Sequence, residues 1–266
     1  MELKLFYTVV VAIFGMLFGS FYNVVGWRIP QGLSIVKPGS FCPKCKHKLR
    51  WYELIPVFSF LIQGGKCRVC KEKISWFYTF TELTSGILWG LVFYLFGFSF
   101  EFFLGIIAVS FLSIVIVSDS NFLIIPDSIT IIASLLVFIL RIYYFGIIDA
   151  LIYILYGLGA FVLMYLLMLL GNFIFKKESL GGGDIKLMFF IGLALGPWMS
   201  IFTIFLSSFI ALPLSLIIYF RSKDGIIPYG PFLLIACLII ILFQIDLNMI
   251  YQLIPYSFLV LYNILF

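Results

Sequence analysis

Uncharged, mostly apolar runs follow one another along almost the whole chain, at 5–27, 83–100, 102–118, 150–175, 187–220, 225–245 and 247–266. A bilayer core of about 30 Å takes roughly 20 helical residues, so most of these runs are long enough to cross once. The run 187–220 contains Gly196-Pro197 and is long enough for two crossings. The segment 128–145 is apolar apart from Arg141, which lies near one end, where a long side chain can snorkel to the interface. These patterns predict an all-α, polytopic integral membrane protein with eight transmembrane helices. The stretch 249–266, which carries Pro255, is a candidate ninth. The first 27 residues lack a small-residue cleavage site and read as a retained helix, not a signal peptide.

Composition agrees: 64% of residues are hydrophobic and 11% are charged, which excludes an ordinary soluble domain. One stretch breaks the pattern. Between Arg28 and Phe77 lie ten of the seventeen Lys and Arg residues, opposed only by Glu53 and Glu72. The positive-inside rule places that loop in the cytoplasm and the N-terminus outside. Alternating crossings then put the connections at 119–127, 174–186 and 221–231 on the cytoplasmic side too, in keeping with Lys176, Lys177, Lys186, Arg221 and Lys223. The net charge of +5 is thus mostly topology, and nothing in it argues for nucleic acid. The predicted organisation is a first transmembrane helix at 1–27, a cytoplasmic loop domain at 28–77 and a multi-helix membrane domain at 78–266.

The loop carries two Cys-x-x-Cys pairs, Cys42 with Cys45 and Cys67 with Cys70, separated by 21 residues. Each such turn aims two thiolates at one point, so the two pairs make a zinc-ribbon-like site with four sulfur ligands. A structural disulfide is disfavoured in a reducing cytoplasm. His47 follows Cys45 by two residues and reads as a surface loop residue, since four cysteines already complete a site. Cys237, in the middle of an apolar run, reads as a packed thiol.

The acidic residues sort by their surroundings. Most sit at run ends, where a solvated charge or a helix cap costs little. Asp127, after Pro126 and before Ser128-Ile129-Thr130, reads as a helix N-cap. Asp119 ends an uncharged run and is followed by the apolar stretch Phe122 to Ile125; Asp184 closes Gly181-Gly182-Gly183 just before apolar residues resume. Ionisable groups at membrane boundaries are costly and point to function. Two carboxylates in a low-dielectric cleft share a proton, one serving as base and the other as acid, which is aspartic protease chemistry with water as nucleophile. On that reading Gly181 and Gly183 admit a substrate backbone beside Asp184 and permit unusual backbone angles; the alternative is a flexible loop with a capping aspartate.

The Gly-x-Gly-Asp string at 181–184 resembles that of intramembrane aspartyl proteases of the presenilin type, and the wider pattern resembles the type IV prepilin peptidases of bacteria. The motifs, in order, are GSFYNVVGWRIP at 19–30, the two cysteine pairs, LRWYELIPVFSFLIQGGKCRVC at 49–70, FYTFTEL at 77–83, DSNFLIIPDSIT at 119–130, GGGDIKL at 181–187 and IPYGPFL at 227–233. The resemblance implies an enzyme of the inner membrane that removes the leader of prepilins or pseudopilins and N-methylates the new amino terminus from S-adenosylmethionine. It assigns the catalytic pair to Asp119 and Asp184 and makes 28–77 the methyltransferase region. No glycine-rich strand-to-helix turn of a soluble methyltransferase occurs there. Asn23 and Arg28, with Glu82 just inside the next helix, are candidates for cofactor contacts. Ser20, Asn23 and Trp27 share one helix face, which interhelical hydrogen bonding explains as well, and Glu82 has Arg28 as an alternative partner. A proton-coupled transporter or a zinc-ribbon membrane adaptor would be the competing classes; a transporter would show internal repeats and midplane aspartates, and an adaptor would need no aspartate pair.

Overall fold

The computed structural model describes residues 2–176, 180–221 and 228–249. Nine helices are named among them: α1 (Glu2–Arg28), α2 (Phe58–Ile62), α3 (Trp76–Phe96), α4 (Phe100–Phe122), α5 (Asp127–Phe145), α6 (Ile147–Phe175), α7 (Gly182–Leu195), α8 (Pro197–Arg221) and α9 (Gly230–Phe243). Six of them (α1, α3, α4, α5, α6 and α8) are long and apolar enough to cross a membrane. The other two apolar helices, α7 and α9, have 14 residues each, about 21 Å of rise, short of a full hydrocarbon core. The expected ninth span falls on 249–266, which apart from Met249 lies outside the described residues, as do Lys177 and Lys223. The long run 187–220 does form two helices, broken at Gly196, whose φ of 83° suits glycine.

The chain divides into two compact units, Met1–Leu140 and Arg141–Phe266. In the first, α1 packs along α3 and both pack on α4. Apolar side chains gain nothing by leaving lipid for one another, so close backbone approach is what joins such helices. Gly15 and Gly19 on α1 lie against Ser85 of α3, and Gly86 and Gly90 on α3 lie against Ala12 of α1: a Cβ at Gly86 would lie 2.3 Å from Met16 Cγ, and one at Gly15 would lie 2.7 Å from Trp89 Cβ. Both pairs are four residues apart, the small-xxx-small spacing that sequence inspection passed over. A buried Ser85–Ser113 hydroxyl pair at 2.8 Å and Tyr22 donating to Ser110 at 2.7 Å tie α4 to the other two helices.

In the second unit α7 packs against α6, α8 and α9, with Leu187, Met188, Phe190 and Ile191 fully buried. Arg141, four residues before the end of α5, is 4% exposed and does not snorkel. Its Nε donates to the Leu193 carbonyl at 2.9 Å, Nη2 to Ala194 at 2.8 Å and Nη1 to Asp149 Oδ2 at 3.1 Å, while the guanidinium stacks on Tyr153. The last carbonyls of a helix lack intrahelical partners, and this arginine caps those of α7. An interfacial position looked sufficient from the residue's place near a run end; the open carbonyls of a neighbouring helix offered a better one.

Candidate functional site

The loop between α1 and α3 holds two equivalent knuckles offset by 25 residues. In the first, Cys42 N–H donates to His47 O (2.9 Å) and Lys46 N–H to Cys42 O (2.9 Å); in the second, Cys67 N–H donates to Glu72 O (2.8 Å) and Lys71 N–H to Cys67 O (3.0 Å). Lys46 and Lys71 both take left-handed φ, 59° and 60°. The four sulfurs lie within 4.8 Å of one another, with Cys42 to Cys70 at 3.7 Å and Cys45 to Cys67 at 3.9 Å. A tetrahedron with zinc–sulfur bonds of about 2.3 Å has edges of about 3.8 Å, which those two separations match, so the four cysteines could hold zinc. The Cys45 backbone N–H pulls the Cys42 thiol down to about 7, and the Cys70 N–H lowers Cys67 in the same way, which favours the thiolate a metal needs. His47 stays outside the cluster, with Nε2 3.2 Å from Glu53 Oε2.

The three candidate cofactor residues are engaged within the protein. Arg28 donates from Nη1 to Ser34 O (3.0 Å) and Pro38 O (2.8 Å) and from Nη2 to Gly39 O (3.4 Å), folding the start of the loop back onto the end of α1. Asn23 donates to Tyr78 O at 3.1 Å and accepts from Thr81 at 2.6 Å, which is the interhelical role. Glu82 accepts the Val57 N–H at 2.9 Å, while Arg28 bonds to loop carbonyls. Taken together these bonds tie α1, α3 and the loop to each other.

Asp119 belongs to the first unit. It lies in the last turn of α4 and is 6% exposed, and its carbonyl accepts the N–H of Leu123 (2.9 Å), whose left-handed φ of 54° ends the helix. Asp127 is the first residue of α5 and is exposed; the Pro126 carbonyl accepts from Ile129 and Thr130 (3.1 and 3.2 Å), so the helix starts one residue earlier than an Asp127 cap would require.

Asp184 belongs to the second unit. It is the third residue of α7 and is 7% exposed, and its N–H donates to Gly181 O at 3.1 Å. Gly181 caps that helix at φ −71°, ψ 142°, while Gly182 and Gly183 form its first turn. The glycines therefore do not serve unusual backbone angles. What they supply is room: a Cβ on Gly181 would lie 3.3 Å from Asp184 Oδ2, whereas one on Gly182 would meet nothing within 4 Å.

Residues 13–96 match the family model described as the bacterial peptidase A24 N-terminal domain, and residues 106–216 match that of the type IV leader peptidase family. A prepilin leader peptidase/N-methyltransferase of Bacillus subtilis is 34% identical over 70% of this chain and 73% of its own. Proteins of the same name are 30% identical in Pseudomonas aeruginosa, over 84% of this chain and 85% of the relative, and in Vibrio cholerae, over 91% and 98%. No solved structure matches the chain.

Proposed function

Since the chain belongs to the type IV leader peptidase family, we propose that it is a multi-pass bacterial membrane protease that cuts the leader from prepilins or pseudopilins with Asp119 and Asp184 as its catalytic carboxylates. The observation that carries the assignment is that both are buried aspartates at helix ends, one closing α4 and one in the first turn of α7, inside the two motifs through which the chain resembles prepilin peptidases.

Aspartic protease chemistry requires one of the two carboxyls ionised and the other protonated. The ionised carboxylate takes a proton from water as the oxygen attacks the scissile carbonyl, and the protonated one donates to the carbonyl oxygen. Collapse of the tetrahedral adduct returns the hydroxyl proton to the carboxylate that gave it, while the carboxyl that took the water proton passes it to the leaving nitrogen, so that the C–N bond breaks, the new amino terminus leaves as a neutral amine and the pair is again singly protonated. Gly181 and Gly183 keep the space beside Asp184 free of side chains so that an extended peptide can lie against it. The basic loop faces the cytoplasm and the N-terminus faces out, so cleavage takes place at the cytoplasmic face. Cys42, Cys45, Cys67 and Cys70 hold a zinc ion in a structural role, and that ion orders the loop.

We also propose that the new amino terminus is N-methylated, with S-adenosylmethionine supplying an electrophilic methyl group. Asn23, Arg28 and Glu82 do not fit as its cradle, because their polar atoms already serve internal partners; no step is assigned to them.

Asp119→Asn and Asp184→Asn, assayed singly with a purified prepilin in proteoliposomes, should each abolish cleavage while membrane content and zinc stoichiometry stay at the wild-type level. Cleavage at the wild-type rate by either variant would refute the pair. Labelled S-adenosylmethionine in the same assay reads methylation of the cut product.

A further inference from the structure

The stretch between the two zinc knuckles is unlike the rest of the loop. Residues 54–65 carry no charge, in a segment where Lys and Arg otherwise recur every few positions. Part of this stretch forms α2, whose Phe60 is buried edge-on against Trp76 with ring centroids 4.5 Å apart. Trp76 is the first residue of α3, so α2 sits level with the mouth of that membrane helix. One residue before α2, Val57 N–H donates to Glu82 Oε2 at 2.9 Å. Glu82 lies six residues along α3 from Trp76, about 9 Å of rise. Val57 is therefore held below the point where α3 begins.

The backbone there is built for a place without water. Val57 takes φ 63°, ψ −54°, a costly γ-turn for a β-branched residue, closed by Phe58 N–H to Pro56 O at 2.6 Å. Ser59, Leu61, Gln63 and Gly64 all donate to carbonyls of the same stretch, Pro56 has no N–H to satisfy, and the Val57 donor left open by the turn is taken by Glu82. Non-helical backbone at membrane depth requires that kind of internal satisfaction. The side chains point the other way: Leu54, Ile55, Phe58, Leu61 and Ile62 are exposed, Ile62 at 78%. Lys48, Arg50, Lys66 and Arg68 flank the stretch and match an anionic headgroup layer.

We infer that residues 54–62 insert as a shallow, re-entrant wedge into an anionic lipid surface, with Glu82 holding the turn at its deepest point. The loop thus has two parts: the zinc knuckles in water, and an apolar segment seated in the leaflet beside α3. The depth is that of interfacial helices, about 5–10 Å below the headgroups. The occupant is lipid and not protein because Phe60 and Val57 are held against the first turns of a membrane helix and the flanking charge complements anionic headgroups.

Photo-crosslinking tests this in the full-length, zinc-loaded protein in nanodiscs of phosphatidylethanolamine and phosphatidylglycerol. Benzoylphenylalanine is placed singly at Leu61, at Ile62 and, as control, at Val69, an equally apolar residue that is 60% exposed inside the second knuckle. Lipid adducts at Leu61 and Ile62 should exceed those at Val69 by about fivefold or more, as expected for acyl-chain contact against water contact. Equal lipid yields at all three positions, no adducts at Leu61 and Ile62, or adducts there to a second copy or to added prepilin in place of lipid would each overturn the proposal. Using two wedge positions keeps the result readable if one substitution disturbs folding.

Discussion

Replacing Gly181 by alanine is the sharpest perturbation of the proposed active site. The backbone there, at φ −71°, ψ 142°, is a conformation alanine adopts without strain, so any effect has to come from the added methyl. That methyl would sit 3.3 Å from Asp184 Oδ2, inside comfortable carbon–oxygen contact, and the carboxylate would have to shift by a few tenths of an ångström. A displacement of about 1 Å at a reacting group costs roughly 10²-fold in rate, so a shift of half that size should cost about 10-fold. Valine, with two further methyls, should cost about 10²-fold or more by the same scale. Gly182→Ala is the control: a Cβ there meets nothing within 4 Å, and alanine is favoured in a helix by about 1 kcal/mol. The assay is kcat/KM for prepilin cleavage in proteoliposomes at matched protein content, with kcat and KM resolved separately. Loss should fall mainly on kcat for Gly181→Ala, and Gly182→Ala should cleave as well as wild type. If both variants lose activity equally, the glycines are a hinge and the contact with Asp184 is irrelevant.

Other parts of the structure make independent predictions. Cys42→Ser combined with Cys45→Ser should release the zinc and make 28–77 protease-sensitive, since so small a lobe lacks a core without its ion; metal analysis and limited proteolysis read both. Arg141→Leu strips two carbonyls at the end of α7 and Asp149 of their shared donor and should cost about 3 kcal/mol, visible as a lower melting temperature in detergent and faster amide exchange at the end of α7. Glu53 is held below its ordinary value of 4.5, chiefly by the Arg50 N–H, with His47 adding to the effect. A depressed carboxyl stabilises the folded lobe above the unfolded value and loses that contribution as pH falls through the folded one. As pH falls from about 4.5 through the lower folded value, wild-type knuckle amides should therefore lose protection more steeply than those of Glu53→Gln; parallel profiles would show that Glu53 adds nothing.

Some of this molecule is written in one dimension. Uncharged runs long enough to span a bilayer declare themselves without reference to any neighbour, and Gly196-Pro197 breaks the helix between α7 and α8 by local backbone preference alone. The cysteine spacing set four sulfurs around one point, because a two-residue turn constrains its own two thiolates. Asp119 and Asp184 stood out since charge at a membrane boundary is anomalous wherever it occurs. What needed the tertiary structure was the partner of each polar group. Arg141 became a helix cap because another helix ends beside it. Asn23, Arg28 and Glu82 acquired their internal partners because Tyr78, Pro38 and Val57 came within hydrogen-bond reach. The glycines of α1 and α3 acquired meaning only when their faces met. A run of apolar residues announces that it leaves water, since burial in lipid depends only on its own composition; which donor meets which acceptor depends on the positions of two chain segments at once, and that information exists only after packing.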